Sequence, residues 1–222
     1  MEDGGCMFIG HFAVAFGTKK PAPEIKLGTL FFAAQFLDFL WPLLLIAGIE
    51  HVRIVPEKLP FLRPDFYDYP ISHSLMTSLL WSLLFGVVYY FIRKNKRNAF
   101  IVGCAVFSHW ILDFISHAPD LPLAPGSSTF VGLGLWNSTL ATIFVESGLF
   151  FLGIILYLRA TKAKNKTGSI ALWALIIFLA ISYGTSIMGP PPADAGPVGL
   201  VALSMWLFIP WGYWIDRNRE TR

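Results

Sequence analysis

Six apolar stretches, at about 27–49, 72–92, 99–115, 140–158, 170–187 and 198–214, set the terms on which this chain can fold. Each approaches the roughly 20 residues a helix needs to cross about 30 Å of hydrocarbon. In that solvent every backbone N–H and C=O must be bonded within its own segment, which makes helices the expected element. A seventh apolar stretch, 7–16, is shorter and ends at Lys19 and Lys20, as a half-length or re-entrant helix would. The expected fold class is all-α, a polytopic transmembrane helical bundle of about six spans plus a short amino-terminal hydrophobic helix. Charged residues make up 14% of the chain, well below the roughly 25% of a water-soluble domain, which agrees with lipid as the main solvent. One integral membrane domain over 1–222 is expected, with 161–222 adding two further spans.

The basic residues are placed asymmetrically. Lys19, Lys20 and Lys26 precede the first span, and Arg93, Lys94, Lys96 and Arg97 follow the second. Arg159, Lys162, Lys164 and Lys166 follow the fourth, and Arg217, Arg219 and Arg222 follow the sixth. All fall on one side, which the positive-inside rule makes cytoplasmic, together with the carboxyl terminus. The other side holds Arg53, Lys58 and Arg63. A net charge of +3, so dispersed, gives no nucleic-acid surface. Trp206, Trp211, Tyr213 and Trp214 before the last basic cluster have the composition of an interfacial aromatic belt. Residues 1–6, MEDGGC, lack the basic start and apolar run of a signal peptide, and Met7 is a candidate original start. Cys6 and Cys104 stand in dissimilar surroundings, so neither a disulfide nor a thiolate metal site is expected.

An ionisable side chain at mid-membrane costs about 2.5–3.5 kcal/mol or more, so each needs a partner, a cavity or a metal. Asp38, His109, Asp113 and Glu146 lie within apolar stretches, and His73 stands at the mouth of one. In SHWILDFISH, His109, Asp113 and His117 follow one another at intervals of four, one slanting stripe on a helix. Imidazole nitrogen and carboxylate oxygen are ligand types preferred by zinc and related ions. A buried imidazole–carboxylate pair also satisfies both groups without a metal. Under the topology above, His73, His109, Asp113, His117, Glu146 and Asp38 reach similar depth from independent helices. His11 sits in Gly-His-Phe on the short stretch, and His51 is expected to be solvated. Asp65, Tyr67, Asp68 and Asp120 are loop residues, either further ligands and bases or solvated groups. Arg53 and Arg63 are either phosphate grips or interfacial charges.

The stretches MFIGHF, AAQFLDFLWP, YPISHSL, SHWILDFISHAPDLPLAP and GLGLWNS, within about 7–160, resemble the membrane-bound metal-dependent hydrolase-like family. Its bacterial members include LexA-regulated inner-membrane proteins, with a distant relation to zinc-dependent phospholipase C. The resemblance implies His11, Asp38, His73, His109 and Asp113 as metal ligands. Two positions depart from the family pattern. The paired Asp-x-Asp of the first span is here Asp38 followed by Phe39 and Leu40, and the family's His-Arg-Gly is Tyr69, Pro70 and Ile71. His117, Asp120 and Glu146 are the candidates to compensate, His117 as a ligand and Asp120 or Glu146 as a catalytic base.

The implied function is that of a metal-dependent hydrolase in the bacterial inner membrane. It would hold a divalent ion, zinc by its donor set, at an outward-facing site and act on a lipid-borne phosphoester. Membrane lipids, and partner membrane subunits, are the expected company. Two other classes use the same buried groups. One is a non-catalytic accessory subunit of a membrane complex. The other is a proton- or ion-linked permease, against which stands the lack of any visible repeat or broken-helix pair.

Overall fold

The computed structural model describes residues 8–222, so the expectations for residues 1–7, Cys6 included, fall outside it. The helices are α1 (Phe8–Thr18), α2 (Leu27–Ala34), α3 (Phe36–Ile46), α4 (Pro70–His73), α5 (Leu75–Arg93), α6 (Lys96–Ser116), α7 (Thr139–Ala160), α8 (Lys166–Met188), α9 (Ala195–Leu203) and α10 (Phe208–Arg217). Between them lie short strands, β1 (His51–Ile54), β2 (Pro64–Asp68), β3 (Leu121–Pro122), β4 (Phe130–Val131), β5 (Thr161–Ala163) and β6 (Arg219–Thr221). They form three antiparallel pairs, β1–β2, β3–β4 and β5–β6, all outside the long helices. Among the described residues five helical runs are long and apolar enough to cross a membrane, α5, α6, α7, α8 and the joined run Ala195–Arg217, and the bent pair α2–α3 would make a sixth. The all-α membrane bundle is therefore as expected. Cys104 is an exposed free thiol on α6.

The first span departs from expectation. The sequence shows one apolar stretch over 27–49 and no broken pair, yet α2 and α3 meet at an angle of 57°. The break falls at Gln35, and Pro42 lies inside α3, where it removes a backbone donor. The last span also has a joint, a 3₁₀ turn at Ser204–Leu207. Trp206 sits in that turn, and its indole N–H donates to the Phe39 carbonyl at 3.2 Å, tying the two irregular spans together. Trp211 donates to the Ala171 carbonyl at 3.0 Å. These two tryptophans thus bond across helices, as does Tyr213, whose hydroxyl lies 2.8 Å from Thr29 Oγ1, while Trp206, Tyr213 and Trp214 all keep exposed faces.

At 1.5 Å per residue the 11 residues of α1 extend about 16 Å, half the hydrocarbon thickness. Phe12, Ala15 and Phe16 are fully buried, so the helix has its place inside the bundle. Phe12 meets Phe31 and Phe208 edge-on, and Phe16 meets Phe31 and Tyr157. Its main neighbour is α7. A Cβ added at Gly153 of α7 would stand 2.5 Å from the Ala13 carbonyl oxygen, so only glycine allows this approach.

Contacts at the two ends sort the connections as the charge pattern predicts. Arg97 donates to the Pro21 carbonyl at 2.9 Å, Lys19 pairs with Asp216 at 2.7 Å, and β5 pairs with β6. All four basic connections therefore share one end. At the other, Arg63 donates to the Gly189 carbonyl at 2.9 Å and Met76 N donates to the Leu123 carbonyl at 3.0 Å. The close α1–α7 crossing predicts that Gly153→Ala costs about 1–3 kcal/mol, as in an overpacked core. Gly148→Ala on the same helix, where a Cβ meets nothing within 4 Å, should be neutral or stabilising by up to about 1 kcal/mol. Thermal unfolding midpoints of the two variants in detergent would check the contrast.

Candidate metal centre

Five of the expected ligands converge from four elements. α1 brings His11 in its first turn, α3 brings Asp38, α4 ends on His73, and α6 carries His109 and Asp113 one turn apart. All are buried, with exposures from 0% for His109 to 8% for Asp38. Each element is shaped for the task. The 57° bend sets Asp38 in the first turn of α3, and the half-length α1 begins at the depth of the cluster. Ser74, whose hydroxyl caps the Thr77 amide, ends the one-turn α4 so that His73 stands off the axis of α5.

The carboxylates lie between the imidazoles. Asp113 Oδ1 is 3.2 Å from His11 Nε2, and Asp113 Oδ2 is 3.3 Å from His109 Nε2 and 3.8 Å from His73 Nε2. Asp38 Oδ1 is 3.5 Å from His73 Nε2 and 3.6 Å from His109 Nε2. Two triads, His11–His109–Asp113 and Asp38–His73–His109, each keep their donor atoms within 4.8 Å of one another. His109 belongs to both. The His11 and His109 rings stack at 3.6 Å between centroids, 2° from parallel. His109 Nε2 and Asp113 Oδ2 make no hydrogen bond of acceptable geometry although both are buried.

Three histidines are fixed by their outer nitrogens. His109 Nδ1–H donates to the Ala34 carbonyl at 2.8 Å, an acceptor at the bend between α2 and α3. His73 Nδ1 lies 2.6 Å from Ser72 Oγ, which gives its own proton to Glu50 Oε2 at 2.6 Å. That network assigns the proton of His73 to Nδ1 and leaves Nε2 free toward Asp38. His117 Nδ1 is 2.9 Å from Asp120 Oδ1, which also accepts from the Tyr69 hydroxyl at 3.0 Å. Such outer partners set tautomer and ring direction in metal-ligating histidines.

Glu50 went unnoticed in the sequence, where it follows an apolar run and precedes His51 like any interfacial acid. It is fully buried, and Oε1 accepts from the Ile71 and Ser72 amides, each at 2.7 Å. Tyr69 and Ser72 were also missed as site members. Only their contacts across the fold distinguish them from ordinary loop residues.

His117 lines the same narrow cavity as His11, Asp38, His73 and Asp113, closed by Trp41, Phe66 and Tyr69. The space has room for about one water or one ion. Burial disfavours the charged His117 ring, but the Asp120 carboxylate outweighs this and raises its pKa above the ordinary value. Asp120 therefore touches the site through His117. Glu146 is fully buried behind the start of α1, facing the Ile9 and Gly10 amides and the Trp136 indole, without lining the cavity. The loop acids lie elsewhere. His51 pairs with Asp68 at 2.8 Å, while Arg53 and Lys58 pair with Asp65. Both loop arginines are thus engaged outside the cluster.

A bundle of membrane-spanning helices built around a buried histidine–aspartate cluster defines a polytopic membrane protein with a candidate metal centre. A sequence model of the YdjM inner membrane protein family matches residues 7–190, which hold the whole cluster, and the chain belongs to that family. Neither curated proteins nor solved structures give a match.

The anchoring layer can be tested apart from any metal. Glu50→Ala strips acceptors from two amides and a hydroxyl and should destabilise the protein by about 3 kcal/mol. Lys162→Gln, which breaks an exposed pair with Glu220, should cost under about 1 kcal/mol. Thermal unfolding in detergent would measure both.

Proposed function

We propose that the chain is a membrane-embedded metal-dependent hydrolase, with one divalent ion, zinc by its donor set, held at the His11–Asp38–His73–His109–Asp113 cluster. The observation that carries this is charge. With neutral imidazoles the cluster buries two carboxylates, Asp38 and Asp113, beside a third in Glu50, which has no basic partner within 4.0 Å among the described residues. Buried charge of one sign is strongly unfavourable. Proton uptake by two histidines would also offset it, although the stacked His11 and His109 rings would repel if those were the two charged. A divalent cation offsets it with a single ion and uses the imidazole and carboxylate atoms as donors. The buried, unbonded His109 Nε2 and Asp113 Oδ2, with imidazole and carboxylate donors around them, fit such an ion.

His73, His109 and Asp113 form the core of the ligand set, completed by Asp38 and His11. When bound, the ion supplies Lewis acidity that activates water at neutral pH and offsets charge on a phosphoryl oxygen. His117, oriented by Asp120 and Tyr69, faces the cavity and is placed to move a proton there. Glu146 takes no direct step in this reading. Trp41, Phe66 and Tyr69 exclude bulk water. The site lies toward the end away from the basic connections, which the positive-inside rule makes the outer face, so the substrate class is a lipid-borne phosphoester of the outer leaflet.

The narrowness of the cavity favours a second reading, an accessory subunit in which the ion is structural. Elemental analysis of purified protein should find one divalent ion per chain, lost in His109→Ala. Glu50→Gln, which weakens the support of His73, should lower metal affinity by about 10- to 100-fold. Absence of a stoichiometric ion in both wild type and His109→Ala would sink both readings. A bound ion with no phosphoester hydrolysis, in mixed micelles of phospholipid, would select the structural one.

A further inference from the structure

A second cavity, of about 270 Å³, opens at the basic end between the α1–α2 turn and the β5–β6 pair. Its basic residues are Lys19, Lys26, Lys164 and Arg219, and its acids are Glu24, Asp216 and Glu220. Two of the three acids are paired with lysines, and the third is held by neutral amides. Asp216 takes Lys19 at 2.7 Å, the Leu27 amide at 2.8 Å and the Tyr157 hydroxyl at 3.2 Å. Glu24 accepts from the Asn98 and Asn95 side-chain amides at 2.9 and 3.3 Å. Glu220 pairs with Lys162 at 3.2 Å. Lys26, Lys164 and Arg219 have no carboxylate within 4.0 Å among the described residues.

Arg219 is the unusual member. Only 7% of it is exposed, and its guanidinium bonds to neutral oxygens alone, Thr161 Oγ1, the Thr161 carbonyl and the Gly168 carbonyl, at 3.1–3.3 Å. It also lies over the Tyr157 ring at 5.5 Å. These contacts fix the plane of the guanidinium and leave its charge uncancelled. A buried charge in this state is costly until a counter-ion arrives. Lys26 and Lys164 are exposed on the rim, with side chains long enough to turn inward.

We propose that this cleft binds a phosphate group. A fixed guanidinium charge with one N–H still free, flanked by two ammonium groups, suits an oxyanion with several acceptor oxygens. The cleft also lies at the end that carries the basic connections, where anionic lipid phosphates concentrate in a cytoplasmic leaflet. The site stands apart from the metal cluster, shares no residue with it and does not depend on that reading. A lipid headgroup and free phosphate offer the same chemistry, so the test must separate them.

The purified full-length protein in detergent would be titrated with inorganic phosphate and, separately, with phosphatidylglycerol, and binding followed by native mass spectrometry. The Lys26→Gln/Lys164→Gln double variant changes only exposed side chains and should weaken binding about tenfold, with the unfolding midpoint kept. Arg219→Gln, which removes the buried charge, should weaken it as well. Phosphatidylglycerol bound by wild type and weakened in the double variant, with no retention of inorganic phosphate, assigns the lipid source. Retention of inorganic phosphate that the double variant loses assigns the soluble one. Binding of neither probe, or equal binding by wild type and double variant, overturns the proposal.

Discussion

Two carboxylates held among three imidazoles inside an apolar bundle are the constraint on which the rest of this structure depends. Neither Asp38 nor Asp113 could face lipid without a large penalty, so helices had to be cut, bent and shortened until the five groups met. A straight span over 27–49 would carry Asp38 past the cluster, and the bend at Gln35 stops it there. The same bend turns the Ala34 carbonyl toward α6, where His109 uses it. The packing of α1 sets His11 level with Asp113, and the glycine at 153 lets α7 press against α1.

Irregular backbone at membrane depth survives only where other groups satisfy it. Here tryptophan and histidine do so: Trp206 bonds to the Phe39 carbonyl just beyond the bend, His109 to Ala34 just before it, and Trp81 to the Ile71 carbonyl beside α4. Glu50 does the corresponding work for donors at the start of α4. The elements that deliver the clustered side chains are thus the ones that need side-chain support, and that support reaches the clustered histidines directly.

The spans were legible because lipid imposes a length and a composition on each, and the grouping of basic connections followed from where lysine and arginine stand. The convergence of these side chains was legible for a related reason, since Asp38, His109 and Asp113 are conspicuous in apolar runs. Glu50 was hidden because an acid at the end of a span is ordinary, and only its three hydrogen bonds to Ile71 and Ser72 make it special. The bend at Gln35 was hidden as well. No glycine or proline marks the joint itself, and Pro42 lies about two turns further on, so the hydropathy of 27–49 looks continuous. The β5–β6 pairing brings together residues about 58 apart and has no local signal.

The single acid at Asp38 shapes what the centre can do. The two triads share His109, and their remaining donors are His11, Asp113, Asp38 and His73, so separate ions would compete for one imidazole nitrogen. Where a second acid would stand two residues beyond Asp38, Leu40 offers no donor. His117 faces the cavity but already spends Nδ1 on Asp120, leaving one nitrogen for either a metal or a proton. The donor set would therefore serve one ion better than two, with His117 left beside it as a group able to carry a proton.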